Sequence, residues 1–179
     1  MAKNGFAGFH PSTLKFLGQL QRNNNRDWFN KNKSRYEDEV LAPSLAFIEA
    51  MQRPVEQFSP LLNCVPKRVG GSLMRIYRDT RFAKDKTPYK TNIGIHFRHQ
   101  AGCDVHAPGL YVHIEPKEVF LGVGMWHPDT KPLACVRQRI ADSPAAWKRV
   151  RDSKAFRTHF ELTGDRHEDL IRSTQCSRT

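Results

Sequence analysis

The sequence lacks the features that mark several large functional classes. No apolar run approaches the roughly 20 residues that a membrane-spanning helix needs. The start, MAKNGFAGFHPS, has one lysine and no continuous apolar stretch, unlike a secretory signal. A Walker-type phosphate loop, a GxSxG nucleophile motif and a dinucleotide-binding fingerprint are also missing. We therefore expect a cytoplasmic protein with no membrane partner and none of these enzyme signatures.

Cysteine is scarce, and its spacing does not suit a metal site. Cys64, Cys103, Cys135 and Cys176 are separated by 39, 32 and 41 positions, with no CxxC pair. Structural zinc sites place their ligands in close pairs. We therefore expect reduced thiols, as in most cytosolic proteins, and predict neither a metal nor a cofactor.

The composition is that of one folded domain. The chain of 179 residues is long enough to bury a core without disulfides or metals. Its 39% hydrophobic and 26% charged residues fit an ordinary globular protein and not a disordered one. We predict a single domain over residues 1–179, and the sequence indicates no oligomeric state.

Basic residues are concentrated in one part of the chain. The net charge is +11, and residues 67–98 contain nine basic residues against two acidic ones, a net charge of +7. Within this block lies RIYRDTRFAKDKTPYKT, residues 75–91. A local block of charge indicates an anionic partner, because solubility alone is served by charge spread over the surface. The candidate anion-binding residues are Arg75, Arg78, Arg81, Lys84, Lys86 and Lys90.

Hydrophobic periodicity predicts an α+β fold. Helical spacing runs through about residues 12–58, where Pro43 should kink or restart a helix, and returns at about residues 130–152. Between them, about residues 69–127 predict an antiparallel sheet of about four strands, packed on the N-terminal and C-terminal helices. The predicted strands are GGSLMRIYR, TNIGIHFRH, GLYVHIEP and EVFLGVGMW.

The two middle predicted strands place polar residues on one face. Period-2 alternation separates them from the apolar face, and the polar set includes the candidate catalytic residues His113, His96, Tyr111 and Glu115. A histidine can serve as general acid or base, and a carboxylate can orient it. The alternative is the ordinary solvated face of a sheet, so whether the protein is an enzyme stays open.

Three explanations of the basic block stay open. The first is a site for a phosphorylated or otherwise anionic small molecule, gripped by arginine and lysine. The second is nucleic-acid binding, with Tyr77, Phe82 and Tyr89 as stacking surfaces. The third is a purely structural loop that pairs with acids such as Glu115 or Glu37 and binds no ligand.

Four segments of the chain resemble a known family. They are FAGFHPSTLKFLGQLQRNNNRDWFNKNKSRYEDEVLAPSLAFI, VGGSLMRIYRDTRFAKDKTPYKTNIGIHFRH, APGLYVHIEP and FLGVGMWHPDTKPLACVRQRIADSPAAWKRV. Together they resemble the domain-of-unknown-function (DUF) 2461 family, with RIYRDTRFAKDKTPYKT and the WHP step as the most specific motifs. The resemblance covers about residues 6–156 and implies a single cytosolic domain with an α+β fold. It does not indicate which activity the protein has.

The C-terminal end departs from this family's pattern. Members of the family look longer than this chain and continue past the Trp147 helix through a basic segment that contains proline and glycine. This chain ends instead in FELTGDRHEDLIRSTQCSRT. The mismatch motivates the hypothesis that the chain is truncated or frameshifted after about residue 165. Resequencing that finds no longer reading frame would remove the hypothesis.

Overall fold

A computed structural model describes residues 6–102, 106–160 and 162 of the chain. Two compact units, Met1–Pro128 and Asp129–Thr179, are described one at a time. The hypothesis of truncation or frameshift after about residue 165 lies outside the described residues, as do Cys103 and Cys176. The single domain stays a prediction.

The predicted N-terminal helical region is confirmed. Asn25 begins α2 by accepting a hydrogen bond from the backbone N–H of Trp28, as an N-cap should. Pro43 lies in the first turn of α4, where its missing N–H costs nothing, so the helix restarts there as predicted. The helices are α1 (Pro11–Arg22), α2 (Arg26–Lys31), α3 (Lys33–Tyr36) and α4 (Ala42–Phe58), with a π-helical turn (Glu37–Leu41) before α4.

The core of the first unit lies between these helices and the sheet. Phe16, Leu17 and Leu20 of α1 are fully buried, and Ile95 and Phe97 of the sheet are buried as completely. Burying one such side chain contributes about 1.5–3 kcal/mol to stability. This core holds the helices against one face of the sheet and leaves the other face for polar residues.

The sheet has three antiparallel strands within the described residues. They are β1 (Ile93–Arg98), β2 (Gly109–Ile114) and β3 (Val119–Gly124), in that order across the sheet. Ile95 pairs with Val112, and Val112 pairs in turn with Leu121, so the apolar side chains share a face. The predicted α+β class and antiparallel pairing are therefore confirmed.

The predicted fourth strand, at residues 70–78, is not confirmed. The backbone N–H of Met74 donates to the carbonyl of Gly94 in β1 at 2.9 Å. The N–H of Arg78 donates instead to the carbonyl of Pro88 at 2.9 Å, and Pro88 belongs to residues 79–91, the basic loop. The segment thus changes its pairing partner after Met74, and only isolated bridges form. Because neither run of pairing is long enough for a strand, the segment lies along the β1 edge as irregular chain.

The second unit is helical, as predicted for about residues 130–152. Its helices are α5 (Thr130–Asp142), α6 (Pro144–Arg151) and α7 (Lys154–His159). None of their described residues is buried within the structure. Packing of these helices on the sheet stays a prediction. Across the described part of the chain, no helix combines the length and hydrophobicity needed to cross a membrane.

Asn24 ties the basic loop to the helical layer. Its side-chain amide donates to the carbonyl of Tyr89 at 2.9 Å and accepts from the N–H of Tyr89 at 3.1 Å. We expect Asn24→Ala to lower the free energy of unfolding by about 2 kcal/mol, because two partly buried backbone groups lose their partner. Urea denaturation measures this. The control Asn30→Ala, at an exposed asparagine of α2, should change stability by about 0.5 kcal/mol or less; equal losses in both variants would contradict this role.

Candidate functional site

A cavity of about 590 Å³ opens in the first unit beside the irregular segment at the β1 edge. Residues 68–77 form one wall, α2 and α3 contribute Phe29 and Tyr36, and β1 contributes His96. The wall is fixed at Ser72, whose hydroxyl accepts from the N–H of Val65 at 3.0 Å. The cavity therefore depends on tertiary packing of three separate parts of the chain.

The charged side chains of the described lining are all basic. No acidic residue is among the described residues that line the cavity. Arg68 is paired with Glu37 at 3.2 Å, and Arg98 donates to the carbonyl of Gly70 at 3.3 Å. The other three cations have no hydrogen bond or salt bridge from their side chains within the described residues. The five cations are Lys33, Arg68, Arg75, Lys90 and Arg98.

The like charges in the cavity affect one another. Lys90 is half-buried, and its pKa lies below the usual range because burial disfavours the charged form and Arg75 repels it. The cavity therefore gathers positive charge that no acidic residue of its described lining offsets.

His96 lies in the same cavity and is 8% exposed. Its Nδ1 has no hydrogen-bond partner within the described part of the chain. Its other nitrogen packs on β2, because a Cβ added to Gly109 would lie 2.7 Å from Nε2. Burial, with a smaller contribution from Arg98, lowers the pKa of His96 below its usual range, so the ring is neutral at pH 7.

The lowered pKa of His96 predicts a pH dependence of stability. The unfolded chain takes up a proton at His96 near pH 6.5 whereas the folded chain does so only at lower pH, so stability falls as the pH drops below about 6.5. Denaturation of His96→Gln between pH 5 and 8 should therefore show a shallower slope than the wild type. His159→Gln, at an exposed histidine of α7, should keep the wild-type slope. Identical slopes for all three proteins would contradict the neutral buried state.

The other three candidate catalytic residues form a separate cluster on the polar sheet face. Tyr111 OH lies 3.2 Å from His113 Nδ1, and His113 Nε2 lies 3.7 Å from Glu115. Phe120 of β3 stacks on the His113 ring at 4.7 Å, and Asn92 approaches His113 Nδ1 at 3.4 Å. Strand pairing also places His96 directly opposite Tyr111, so all four residues share one face of the sheet as strand alternation predicted, but the contacts above join only three of them. None of these three lines the basic cavity.

Two residues of this cluster, together with Glu118, have side-chain atoms that could bind a metal cation. His113, Glu115 and Glu118 have ligand atoms within 4.8 Å of one another. Imidazole and carboxylate are ligands for zinc and related ions. Strand alternation alone did not indicate Glu118, because this residue reaches the group across the turn where Glu115 N–H donates to its carbonyl at 2.9 Å. The absence of a metal stays a prediction.

The tip of the basic loop is largely neutralised within itself. Arg78 donates to Asp85 and to Thr87, and Arg81 grips both oxygens of Asp79, at 3.0 and 2.6 Å. Hydrogen bonds from these arginines lower the pKa of each aspartate to about 2. Within the described residues, these two loop arginines pair with acids of the loop itself, while Glu37, one of the acids named in the structural interpretation, pairs with Arg68 of the basic block.

The six candidate anion-binding residues occupy different places. Arg75 and Lys90 line the basic cavity, while Arg78 and Lys90 line a second cavity of about 390 Å³ beside Asn24. Lys86 donates to the carbonyl of Thr80 at 2.9 Å, and Lys84 is exposed at the loop tip. Sequence reasoning did not name Lys33, Arg68 or Arg98 as ligands, although the last two belong to the basic block.

Comparison with known proteins identifies relatives at the level of the family. Residues 12–175 match a family described as "Conserved hypothetical protein (DUF2461)". Neither the curated proteins nor the solved structures contain a match to this chain.

Proposed function

The chain belongs to the DUF2461 family of conserved hypothetical proteins, and we propose that it binds a phosphorylated or otherwise anionic small molecule in the basic cavity. The observation that carries the proposal is the lining: five cations, with no acid among the described lining residues. Surface cations usually pair with nearby acids, as Arg81 does with Asp79. Cations gathered in a concave site without acids are typical of anion recognition.

Arg75 and Lys90 are the central ligands in this proposal. The guanidinium of Arg75 offers a planar fork that fits two oxygens of a phosphate or carboxylate, and Lys90 adds a point charge from a half-buried position. Arg78 and Arg81 are not ligands in this proposal, because each is already paired with an aspartate of the loop. This assignment narrows the six candidates to two and adds Lys33, Arg68 and Arg98.

His96 is the first candidate for the residue that catalyses a reaction of the bound ligand. It is a neutral imidazole, and in the described chain no other histidine lines the cavity, so it suits a general base. The cluster of Tyr111, His113 and Glu115 is a second acid–base set for a ligand that extends over the polar sheet face. Turnover that falls in His96→Gln while ligand affinity is kept would identify His96 as the base.

Thermal unfolding in the presence of anions tests the binding proposal. The panel contains phosphate, sulfate, sugar phosphates, nucleotides and short oligonucleotides, each at two salt concentrations. We expect a small anion to raise the midpoint temperature, because a ligand that binds only the folded state stabilises it. The stabilisation should fall less with added salt than binding along a nucleic-acid strand would, since a pocket contacts fewer phosphate groups. A flat response to the whole panel would contradict the proposal and favour a purely structural loop.

Nucleic-acid binding is the second candidate, and one observation favours it. Phe82, at the tip of the basic loop, is 95% exposed, and the Arg81 guanidinium lies 5.8 Å from its ring. An exposed ring beside cations is typical of a stacking surface for bases. The same panel separates the candidates, because affinity for nucleic acid falls by roughly 0.7–0.9 log units per phosphate contact for each tenfold rise in salt.

A further inference from the structure

We propose that the ligand of the basic cavity is a nucleoside polyphosphate, whose phosphate groups contact the cations and whose base stacks on Tyr77. The inference rests on the proposed anion binding and adds to it the number of charges and the presence of a flat ring. Four features support it: the charge of the lining that has no acidic partner, the volume of the cavity, an exposed aromatic residue in its wall and an unpaired nitrogen of His96.

The charge of the cavity exceeds what one phosphate group supplies. Lys33, Arg75 and Lys90 have no hydrogen bond or salt bridge from their side chains within the described residues, and Arg98 has only a backbone carbonyl as partner. These four positive charges face no acid in the described lining. A single phosphate group carries at most about two negative charges near neutral pH. Two or more phosphate groups match this charge better than one does, although Lys33 and Arg75 are exposed and solvent screens part of their charge.

The size of the cavity also exceeds that of one phosphate ion. Its volume of about 590 Å³ lies within the roughly 300–1,000 Å³ of sites that hold ligands of drug size. A phosphate ion alone would leave most of this space to water. The ligand therefore has a substantial organic part.

Tyr77 offers a surface for that organic part. Its ring lines the cavity and is 53% exposed, although a tyrosine in a folded chain normally buries most of its ring. The ring is held in place by Tyr89 and Phe29, at centroid distances of 5.5 and 6.4 Å. A supported aromatic ring beside cations suits a planar base, which stacks on its exposed surface.

His96 completes the site with a polar group that the folded chain leaves unpaired. The side chain is more than nine-tenths buried, lines the cavity and keeps one nitrogen without a partner in the described structure. A buried polar atom without a partner is unusual in a folded protein. That nitrogen has almost no accessible surface, so a ribose hydroxyl pairs with it only after the imidazole turns toward the cavity.

Isothermal titration calorimetry at fixed salt and without divalent cations tests the proposal. The probes are phosphate, pyrophosphate and tripolyphosphate, and adenosine mono-, di- and triphosphate. Affinity should rise with each added phosphate in both series, and the adenosine diphosphate should bind about tenfold more tightly than pyrophosphate because of stacking. Tyr77→Leu should remove that tenfold advantage and keep the affinity for pyrophosphate. Phe58→Leu, at an exposed ring of α4 that does not line the cavity, should leave all affinities unchanged.

The outcomes separate this inference from the proposed function. Equal affinities for pyrophosphate and adenosine diphosphate, unchanged by Tyr77→Leu, would overturn the nucleoside assignment while anion binding stands. Affinity that does not rise beyond one phosphate group would overturn the polyphosphate assignment in the same way. Absence of binding by every anion would remove both proposals. Circular dichroism of each variant confirms that the fold is retained before the affinities are compared.

Discussion

Replacing Arg75 and Lys90 together by alanine is expected to weaken binding of pyrophosphate by a hundredfold or more. Each residue supplies charge-assisted hydrogen bonds, which are worth about 1.5–3 kcal/mol apiece, and a loss of about 2.8 kcal/mol is a hundredfold in affinity. The folded state should be retained, because the substitution removes a half-buried charge whose burial, together with repulsion by Arg75, lowers the pKa of Lys90. Calorimetry measures the affinity, and thermal unfolding measures the stability.

A matched variant separates the cavity from general charge. The control variant combines Arg81→Ala with Lys84→Ala and also removes two positive charges. These charges belong to an arginine paired with Asp79 and to a lysine exposed at the loop tip. We expect this double variant to bind pyrophosphate within about threefold of the wild type, since exposed charges outside a site are screened by salt. A similar large loss in both double variants would show that net charge, and not the cavity, holds the anion.

The second large effect is expected at Gly71, in the cavity wall. A Cβ at this position would lie 2.5 Å from the Val65 carbonyl oxygen and 2.7 and 2.8 Å from two backbone atoms of Lys67. Backbone atoms cannot move aside as the end of a side chain can. Gly71→Ala should therefore lower the free energy of unfolding by about 3 kcal/mol, the upper part of the range for overpacking, and should also displace residues 65–72 of the wall.

The neighbouring glycine is the control. Gly70 has φ +71°, and a Cβ there would meet no atom within 4 Å. Gly70→Ala should therefore cost only the conformational penalty of the left-handed region, about 1 kcal/mol. Chemical denaturation of both variants tests the difference. Equal losses would mean that the turn conformation, and not close packing against residues 65–67, accounts for the glycine pair.

The elements with strong local signals were predictable from the sequence. The Asn25 cap, the restart at Pro43 and the alternation of β1 and β2 depend on residues close together in the chain, and all three are found in the structure. Local patterns could not reveal that residues 70–78 change their pairing partner after Met74, because this depends on how the loop folds back at residues 88–90. The predicted fourth strand failed for that reason.

The site was predictable only in part, for a similar physical reason. The basic block indicated a concentration of cations, and Arg75 and Lys90 from this block line the cavity. It did not show that Lys33, from a helix more than forty residues away, reaches the same cavity. A local signal for the internal pairing of the loop was present, since Asp79 lies two residues before Arg81. Close acids of this kind should lower the expectation that an arginine is free for a ligand.

The most direct measurement of the central claim is the position of a bound anion in crystals of the protein. Crystals soaked in tungstate, a heavy tetrahedral dianion, give an anomalous signal that locates the ion without assumptions about the ligand. The account predicts the strongest peak between the Arg75 guanidinium and the Lys90 ammonium group, about 3–4 Å from each, and its loss in the Arg75→Ala, Lys90→Ala variant. Strong peaks confined to Arg81 and Lys84 at the loop tip, or no peak in the cavity, would contradict it.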